Sequence, residues 1–255
     1  MSLLAPLDRL LAPVPIPRRA DWLKGAHFAH RGLHGGAVAE NSASAFAAAI
    51  ARGLGIECDV QKSSDDQAVV FHDDELDRLT GESGPVARHS AAQLRTTVLS
   101  GTKDGIQTLR QMLDQVAAAV PILIEIKSRK ERPVAAICLA VRRSLEGYRG
   151  THAVMSFDPR VARWFARHSP LTTRGLIVTE ENDKAFTGRL RRYLWLWMAK
   201  PDFLAYDVRD LPSKFAASQR KRGIPVATWT VRNAELRERA GRYADAPIAE
   251  GAGLA

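Results

Sequence analysis

Short apolar runs and longer segments of helical periodicity alternate along most of this chain. The runs Phe28–His30, Ile56–Val60, Ile122–Ile126, Ala153–Phe157, Arg174–Val178, Phe203–Tyr206, Val226–Thr230 and Tyr243–Ile248 read as strands, and Val69–His72 as a further short one after the second. Between them, Ser42–Arg52, Leu109–Ala119, Val134–Leu145, Pro159–His168, Asp183–Ala199, Ser213–Lys221 and Asn233–Ala240 space their apolar residues as helices do. Start signals support several of these: Asn41 or Ser42 before an Ala-rich run, Thr108 before Leu109, and Asp158 followed by Pro159 at the first helical position. Gly53 and Gly223 stand where helices should stop.

Eight strands alternating with helices over 255 residues predict an α/β fold of the (β/α)₈ TIM-barrel class, built as a single domain. A doubly wound open sheet would place a glycine-rich phosphate loop after its first strand, and no such loop is present. The barrel is expected over residues 27–255, after an N-terminal arm, residues 1–26, that Pro13, Pro15 and Pro17 mark as irregular. The stretch of about 73–105 is long and polar for a connection, which predicts a short insertion after the second strand region. The chain closes on Gly251-Ala252-Gly253-Leu254-Ala255, so the last helix is expected to be vestigial, with Leu7–Leu11 or Asp21–Leu23 covering part of the barrel instead.

Two of the strands carry charge where a core strand should not. In Ile56-Glu57-Cys58-Asp59-Val60 the acids sit two apart, and in Ile124-Glu125-Ile126-Lys127 so do Glu125 and Lys127. Side chains in a strand alternate faces, so each strand turns its charges to one side. Burying an unpaired carboxylate is costly, and three of them on two strands suggest a hard divalent cation, magnesium or calcium, held by Glu57, Asp59 and Glu125 with Glu40 nearby. The competing explanation is a structural ion network, Glu125 with Lys127 and the other acids with Arg31. In a barrel the strand C-termini build the site, and His30, His72, Phe157 and Trp229 also fall at or near such ends. His30 and His72 are the candidates for proton transfer. Arg31 offers a planar fork for a phosphate, or an ion pair to Glu40. Asn41 either hydrogen-bonds substrate or caps the helix after it, and Phe157 and Trp229 either wall a pocket or pack the core.

Taken in order, His30-Arg31-Gly32, Glu40-Asn41-Ser42, Gly53 through Glu57-Cys58-Asp59-Val60, Asp65-Asp66, Val70-Phe71-His72-Asp73 and Arg78-Leu79-Thr80 resemble the glycerophosphodiester phosphodiesterases. Thr108-Leu109, Glu125-Ile126-Lys127, Ser156-Phe157 and Trp229-Thr230-Val231 continue the likeness, which runs from about Ala29 to about Glu250. The resemblance implies a TIM barrel that hydrolyses glycerophosphodiesters to glycerol 3-phosphate and an alcohol. It implies that Glu57, Asp59 and Glu125 bind the divalent metal, that His30 and His72 are the base and acid pair, and that Arg31 and Lys127 contact the phosphate. It also implies attack on phosphorus by the free glycerol hydroxyl beside the ester. Two departures stand out: Ala39 replaces the proline usual before the Glu-Asn pair, and Asp245-Ala246-Pro247-Ile248-Ala249-Glu250 replaces a Thr-Asp before proline.

Composition narrows the partners. A formal charge of +9 suits an anionic substrate or lipid surface, or is simply a solvated arginine-rich surface. Nucleic acid is not expected, because the nearest basic cluster, Arg189 to Trp195, reads as a helix with one basic and one apolar face. Cys58 and Cys138 form no zinc signature or disulfide framework and fit as small buried residues. The start, Met1-Ser2-Leu3-Leu4-Ala5-Pro6-Leu7-Asp8, lacks the form of a signal peptide, and no stretch has the roughly 18 apolar residues of a membrane span. A cytoplasmic protein acting on a small phosphodiester is therefore expected, with the number of subunits left open. A lysophospholipase D or sphingomyelinase-D-like activity would need an apolar mouth, for which Leu33, Val86, Trp195 and Trp197 are candidates. A barrel that only binds phosphates is the non-enzymatic alternative, since fold alone does not prove activity.

Overall fold

A computed structural model of the chain describes residues 5–15, 19–129, 131–181 and 185–254. Residues 1–4, Pro17 of the expected arm, and Asp183, expected to begin a helix, lie outside them. The chain divides into two units, residues 28–152 and residues 1–27 with 153–255.

In the first unit, β1 (Phe28–Ala29) runs parallel to β2 (Gly55–Lys62), which runs parallel to β4 (Ile122–Ile126). Between them in sequence, β3 (Ala68–Val70) folds back antiparallel on the end of β2, pairing Val60 with Val70. The short strand expected over Val69–His72 thus ends earlier, and His72 lies two residues beyond it rather than at the end of a parallel strand. Alternation along β2 works as expected: Ile56, Cys58 and Val60 are fully buried, and Glu57, Asp59 and Gln61 share the other face. Ser42, not Asn41, caps helix Ala43–Ala51, accepting from Ala45 N at 3.1 Å. Thr108 forms a reciprocal capping box with Gln111 at the start of Leu109–Val116. The insertion has its own core, in which Val69 and Phe71 pack with Leu76, Val86, Leu94, Leu99 and Ile106. Val86 is fully buried there, so it cannot line an apolar mouth.

In the second unit, β5 (His152–Ser156), β6 (Thr173–Val178), β7 (Phe203–Asp207), β8 (Val226–Val231) and β9 (Ala246–Ala249) pair as successive parallel neighbours. Asp158 caps helix Pro159–His168 with proline at its first position. The last strand begins at Ala246, not Tyr243: helix Ala234–Tyr243 runs on through Gly241-Arg242-Tyr243 before the chain turns. The departure at Asp245 is structural, its carboxylate accepting from Val226 N at 2.8 Å and Arg220 Nη2 at 2.8 Å. Helix Ala5–Leu11 is held by Asp8, fully buried, which accepts from Trp197 Nε1 at 2.7 Å and Gln219 Nε2 at 2.9 Å. After β9 only a single 3₁₀ turn, Gly251–Leu254, follows among the described residues.

Eight parallel strands with intervening helices make the chain a (β/α)₈ TIM barrel, with β3 and the insertion added after the second barrel strand. No described helix is long and apolar enough to cross a membrane. Both cysteines are buried, and neither forms a disulfide among the described residues.

Candidate active site

All nine charged and polar candidates from the first half of the chain lie within the first unit, and the strand register explains much of their convergence. β2 and β4 pair so that Asp59 stands opposite Glu125 and Glu57 opposite Leu123. Residues opposite one another on parallel neighbours share a face, so the three acids gather. Glu57, Asp59 and Glu125 each offer a carboxylate oxygen, all within 4.8 Å of one another.

The loops are shaped to surround this triad. Arg31 and Asn41 both adopt left-handed backbone, at φ 54° and 55°, a conformation few non-glycine residues take without surrounding support. That geometry aims Arg31 N at Glu57 Oε2 (3.1 Å) and lets Asn41 N donate to Arg31 O (2.9 Å). Gly32, at φ 78°, lies against helix Ala43–Ala51, where a Cβ would sit 2.8 Å from the Ala45 Cβ. Gly32→Ala is therefore expected to lower stability by about 1–3 kcal/mol in chemical denaturation, through backbone strain and overpacking. Unchanged stability would mean that the loop is not packed this way.

Asn41 neither caps the helix nor is left to a ligand alone. Its Nδ2 donates to Asp59 Oδ2 at 2.9 Å, and its Oδ1 accepts from Asp59 N at 3.2 Å, so both ends of the amide fix Asp59. Lys127 Nζ reaches Glu125 Oε1 at 2.6 Å and Asp59 Oδ1 at 2.8 Å. Arg31 pairs with Asp59 (3.2 Å) and Glu40 (2.7 Å), and Glu40 in turn accepts from Arg78 Nη2 at 2.7 Å. The ion network weighed as an alternative to a metal is thus present for Asp59, Glu125 and Arg31.

Glu57 stands apart from that network. Its side-chain contacts among the described residues are Arg31 N and, at 3.9 Å, His30 Nε2, and the Arg31 charge acts on it as well. Burial, followed by the nearby charges of Asp59 and Glu125, pushes its carboxyl well above the ordinary carboxylate range. Glu125 is pushed up as well, by burial and by Asp59 against the pull of Lys127. Asp59 goes the other way: despite burial, Lys127 and Arg31 hold it well below the usual range. Lys127 is correspondingly raised by Asp59 and Glu125 against its own burial. A cluster of three buried acids, two of them destabilised as anions, is a charge deficit that a cation would fill, and its all-oxygen donors suit a hard divalent ion. The residues fit such an ion.

His72 is oriented from two sides. Its Nδ1 lies 2.6 Å from Asp73 Oδ1, and because an ionised carboxylate only accepts, Nδ1 carries the proton and Nε2 is left for exchange. Arg78 Nε holds the other oxygen of Asp73. Gln61, on the acid-bearing face of β2, donates from Nε2 to the carbonyls of Phe71 (3.2 Å) and Asp73, clamping the backbone around His72. Gln61, Asp73 and Arg78 were not among the sequence candidates. Period two from Glu57 and Asp59 points directly to Gln61, and Asp73 and Arg78 stand in the motifs that carry the family resemblance, which gave them no role. In the second unit, Phe157 and Trp229 meet edge to face at 5.5 Å between ring centroids. Phe157 is 38% exposed and Trp229 partly so, and this pair is therefore not core packing. Trp229 Nε1 donates to Ala205 O at 3.0 Å.

A sequence model described as the "Glycerophosphoryl diester phosphodiesterase family" matches residues 30–249. The chain belongs to this family. It is an enzyme of the glycerophosphodiester phosphodiesterase class, a phosphoric diester hydrolase. YhdW of Bacillus subtilis (strain 168) is 27% identical over 213 residues, covering 80% of this chain and 85% of that protein. Among solved structures, the glycerophosphodiester phosphodiesterase of Thermotoga maritima superposes with a TM-score of 0.69 at 26% identity, over 88% of this chain and 93% of that one. An Oleispira antarctica phosphodiesterase, solved in complex with the product sn-glycerol-3-phosphate, superposes with a TM-score of 0.78 at 20% identity, over 90% and 94% of the two chains. The fold of this enzyme is the fold of those structures.

Proposed function

We propose that this enzyme hydrolyses small glycerophosphodiesters to glycerol 3-phosphate and an alcohol, by proton transfer through His30 and His72 at a divalent-cation site formed by Glu57, Asp59 and Glu125. The observation that carries this reading is the buried acid triad, in which the Glu57 side chain makes no salt bridge to a lysine or arginine among the described residues, with His30 beside Glu57 and the charge of His72 acting on Asp59. Magnesium or calcium, when bound, supplies charge stabilisation at the phosphate and activation of the attacking oxygen. One imidazole takes the proton of the attacking glycerol hydroxyl as its O–P bond forms, and the other gives a proton to the departing alkoxide as its P–O bond breaks. Water, losing a proton to the second imidazole, then opens the cyclic phosphate as the first returns its proton to the glycerol oxygen, leaving glycerol 3-phosphate. His72, with its ring fixed by Asp73, suits the donor; His30, beside Glu57, suits the acceptor. Lys127 and Arg31, drawn onto Asp59, lie where a phosphate would compete for their charge. Asn41 and Glu40 position Asp59 and Arg31.

A panel of glycerophosphodiesters and lysolipids, with magnesium or calcium returned in turn to stripped protein, tests the reading. Release of glycerol 3-phosphate from glycerophosphocholine or glycerophosphoethanolamine supports it, and its absence from every diester overturns it. A diester hydrolase of this kind gains nothing from an acyl chain. Rates that rise with chain length would instead assign a lysophospholipase D, for which the burial of Val86 and the packing of Trp195 and Trp197 against the core leave little apolar mouth.

A further inference from the structure

Helix Phe186–Ala199 was expected to present one basic and one apolar face, and it does something else. Arg192 turns inward with Tyr193, Leu196 and Ala199, and pairs with Glu180 at 3.3 Å. A second apolar row turns outward at four-residue spacing: Phe186 (77% exposed), Leu190 (41%), Leu194 (50%) and Met198 (39%). Residues four apart lie on one helical face, so these form a stripe. Trp197 and Trp195 are partly buried, the latter with the Arg191 guanidinium 5.2 Å from its ring centroid. Through the Asp8–Trp197 hydrogen bond, helix Ala5–Leu11 is tied to this helix, and Leu7 and Leu10 are exposed on it.

Along the helix itself the charge has one sign. No acidic residue occurs between Ala185 and Lys200, whereas Arg189 and Arg191 are exposed. Arg189 also borders a cleft of about 690 Å³ that Lys214 and Lys221 line. The acids of that cleft are already engaged: Glu180 by Arg192, Tyr206 and Ser213, and Asp210 by the backbone N–H of Glu180.

An exposed apolar row with a cationic border needs an occupant that supplies both hydrocarbon and negative charge. A second copy of the chain supplies the first without the second, because a two-fold contact through this stripe sets arginines against arginines. An anionic bilayer surface supplies both, with leucine and phenylalanine at the acyl boundary, tryptophan at the interface and arginine or lysine at the phosphates. We propose that helix Phe186–Ala199, with Leu7 and Leu10 beside it, docks this enzyme on an anionic lipid surface. This goes beyond the proposed reaction and fits it: a glycerophosphodiester is a glycerophospholipid stripped of both acyl esters, so deacylation at a lipid surface must supply it.

Flotation of the full chain with vesicles of phosphatidylcholine, alone or mixed with phosphatidylglycerol, reads docking without any chemistry and therefore stands whatever the hydrolysis assay shows. Binding is expected to be about ten-fold or more stronger on the anionic vesicles and to fall in high salt. Leu190→Ser with Leu194→Ser, and separately Arg189→Glu with Arg191→Glu, should each abolish it while far-UV circular dichroism and turnover of soluble glycerophosphocholine stay unchanged. All four positions are exposed, so both variants should fold. Failure of the unaltered protein to bind anionic vesicles overturns the proposal, as does equal binding to both vesicle types. A dimer in solution that the leucine variant dissociates, with no vesicle binding, assigns the stripe to a second copy instead.

Discussion

His72→Ala is expected to lower turnover of glycerophosphocholine by roughly 10²–10⁴-fold, the usual contribution of a positioned proton donor, and His30→Ala by a similar factor. The argument is geometric. Two hydrogen bonds from Gln61 fix the backbone on either side of His72, Asp73 fixes its ring, and Arg78 fixes Asp73. Such an arrangement holds one imidazole nitrogen in a single direction, which matters for proton transfer and little for simple binding. The loss should therefore fall on kcat, with KM changing much less. Asp73→Asn should produce a smaller loss of the same kind, because the ring keeps its place but its partner can now donate as well as accept and no longer sets its tautomer. If both histidine variants turn over at the unaltered rate, neither takes part in the reaction. A rise in KM alone would make His72 a binding residue.

The fold was legible because strand and helix periods are local. Every parallel strand follows an apolar run that could be read from neighbouring residues, and the errors sit at boundaries where two local signals compete. Tyr243 is one: the helical spacing of the preceding residues carries the helix through it, and Asp245 then closes the turn by side-chain hydrogen bonds that no pattern announces. The acid face was legible for the same reason, since period two places Glu57 and Asp59 together and would have added Gln61. What pairs with what was not. Asp59 meets Glu125 through strand register across 65 intervening residues, and Arg78 reaches Glu40 and Asp73 from an insertion whose own small core sets its path. Asn41 shows the limit most clearly. A polar residue just before a helix reads as a cap, but Ser42 takes that place and frees the Asn41 amide to hold Asp59 at both ends.

Removing divalent cations should abolish hydrolysis and leave the protein folded. Lys127 already bridges Asp59 and Glu125, and Arg31 already pairs with Asp59, so the stripped site keeps much of its charge balanced. Glu57 is the exception, a buried carboxylate that among the described residues contacts Arg31 N and a distant His30 and feels the Arg31 charge without a salt bridge to it. A cation bound to the folded state alone stabilises it by mass action, about 2.7 kcal/mol at a hundred times its dissociation constant, so Tm should rise on adding magnesium or calcium to chelated protein. Glu57→Gln separates this from an inert ion network. It removes a negative charge that burial and two neighbouring acids disfavour, so the stripped variant should be at least as stable as the parent. Its Tm, however, should no longer respond to the cation, and its activity should be lost with or without it. Activity that survives exhaustive chelation, or a Tm response that survives in the Glu57→Gln protein, would show that the triad is a structural ion network and not a metal site.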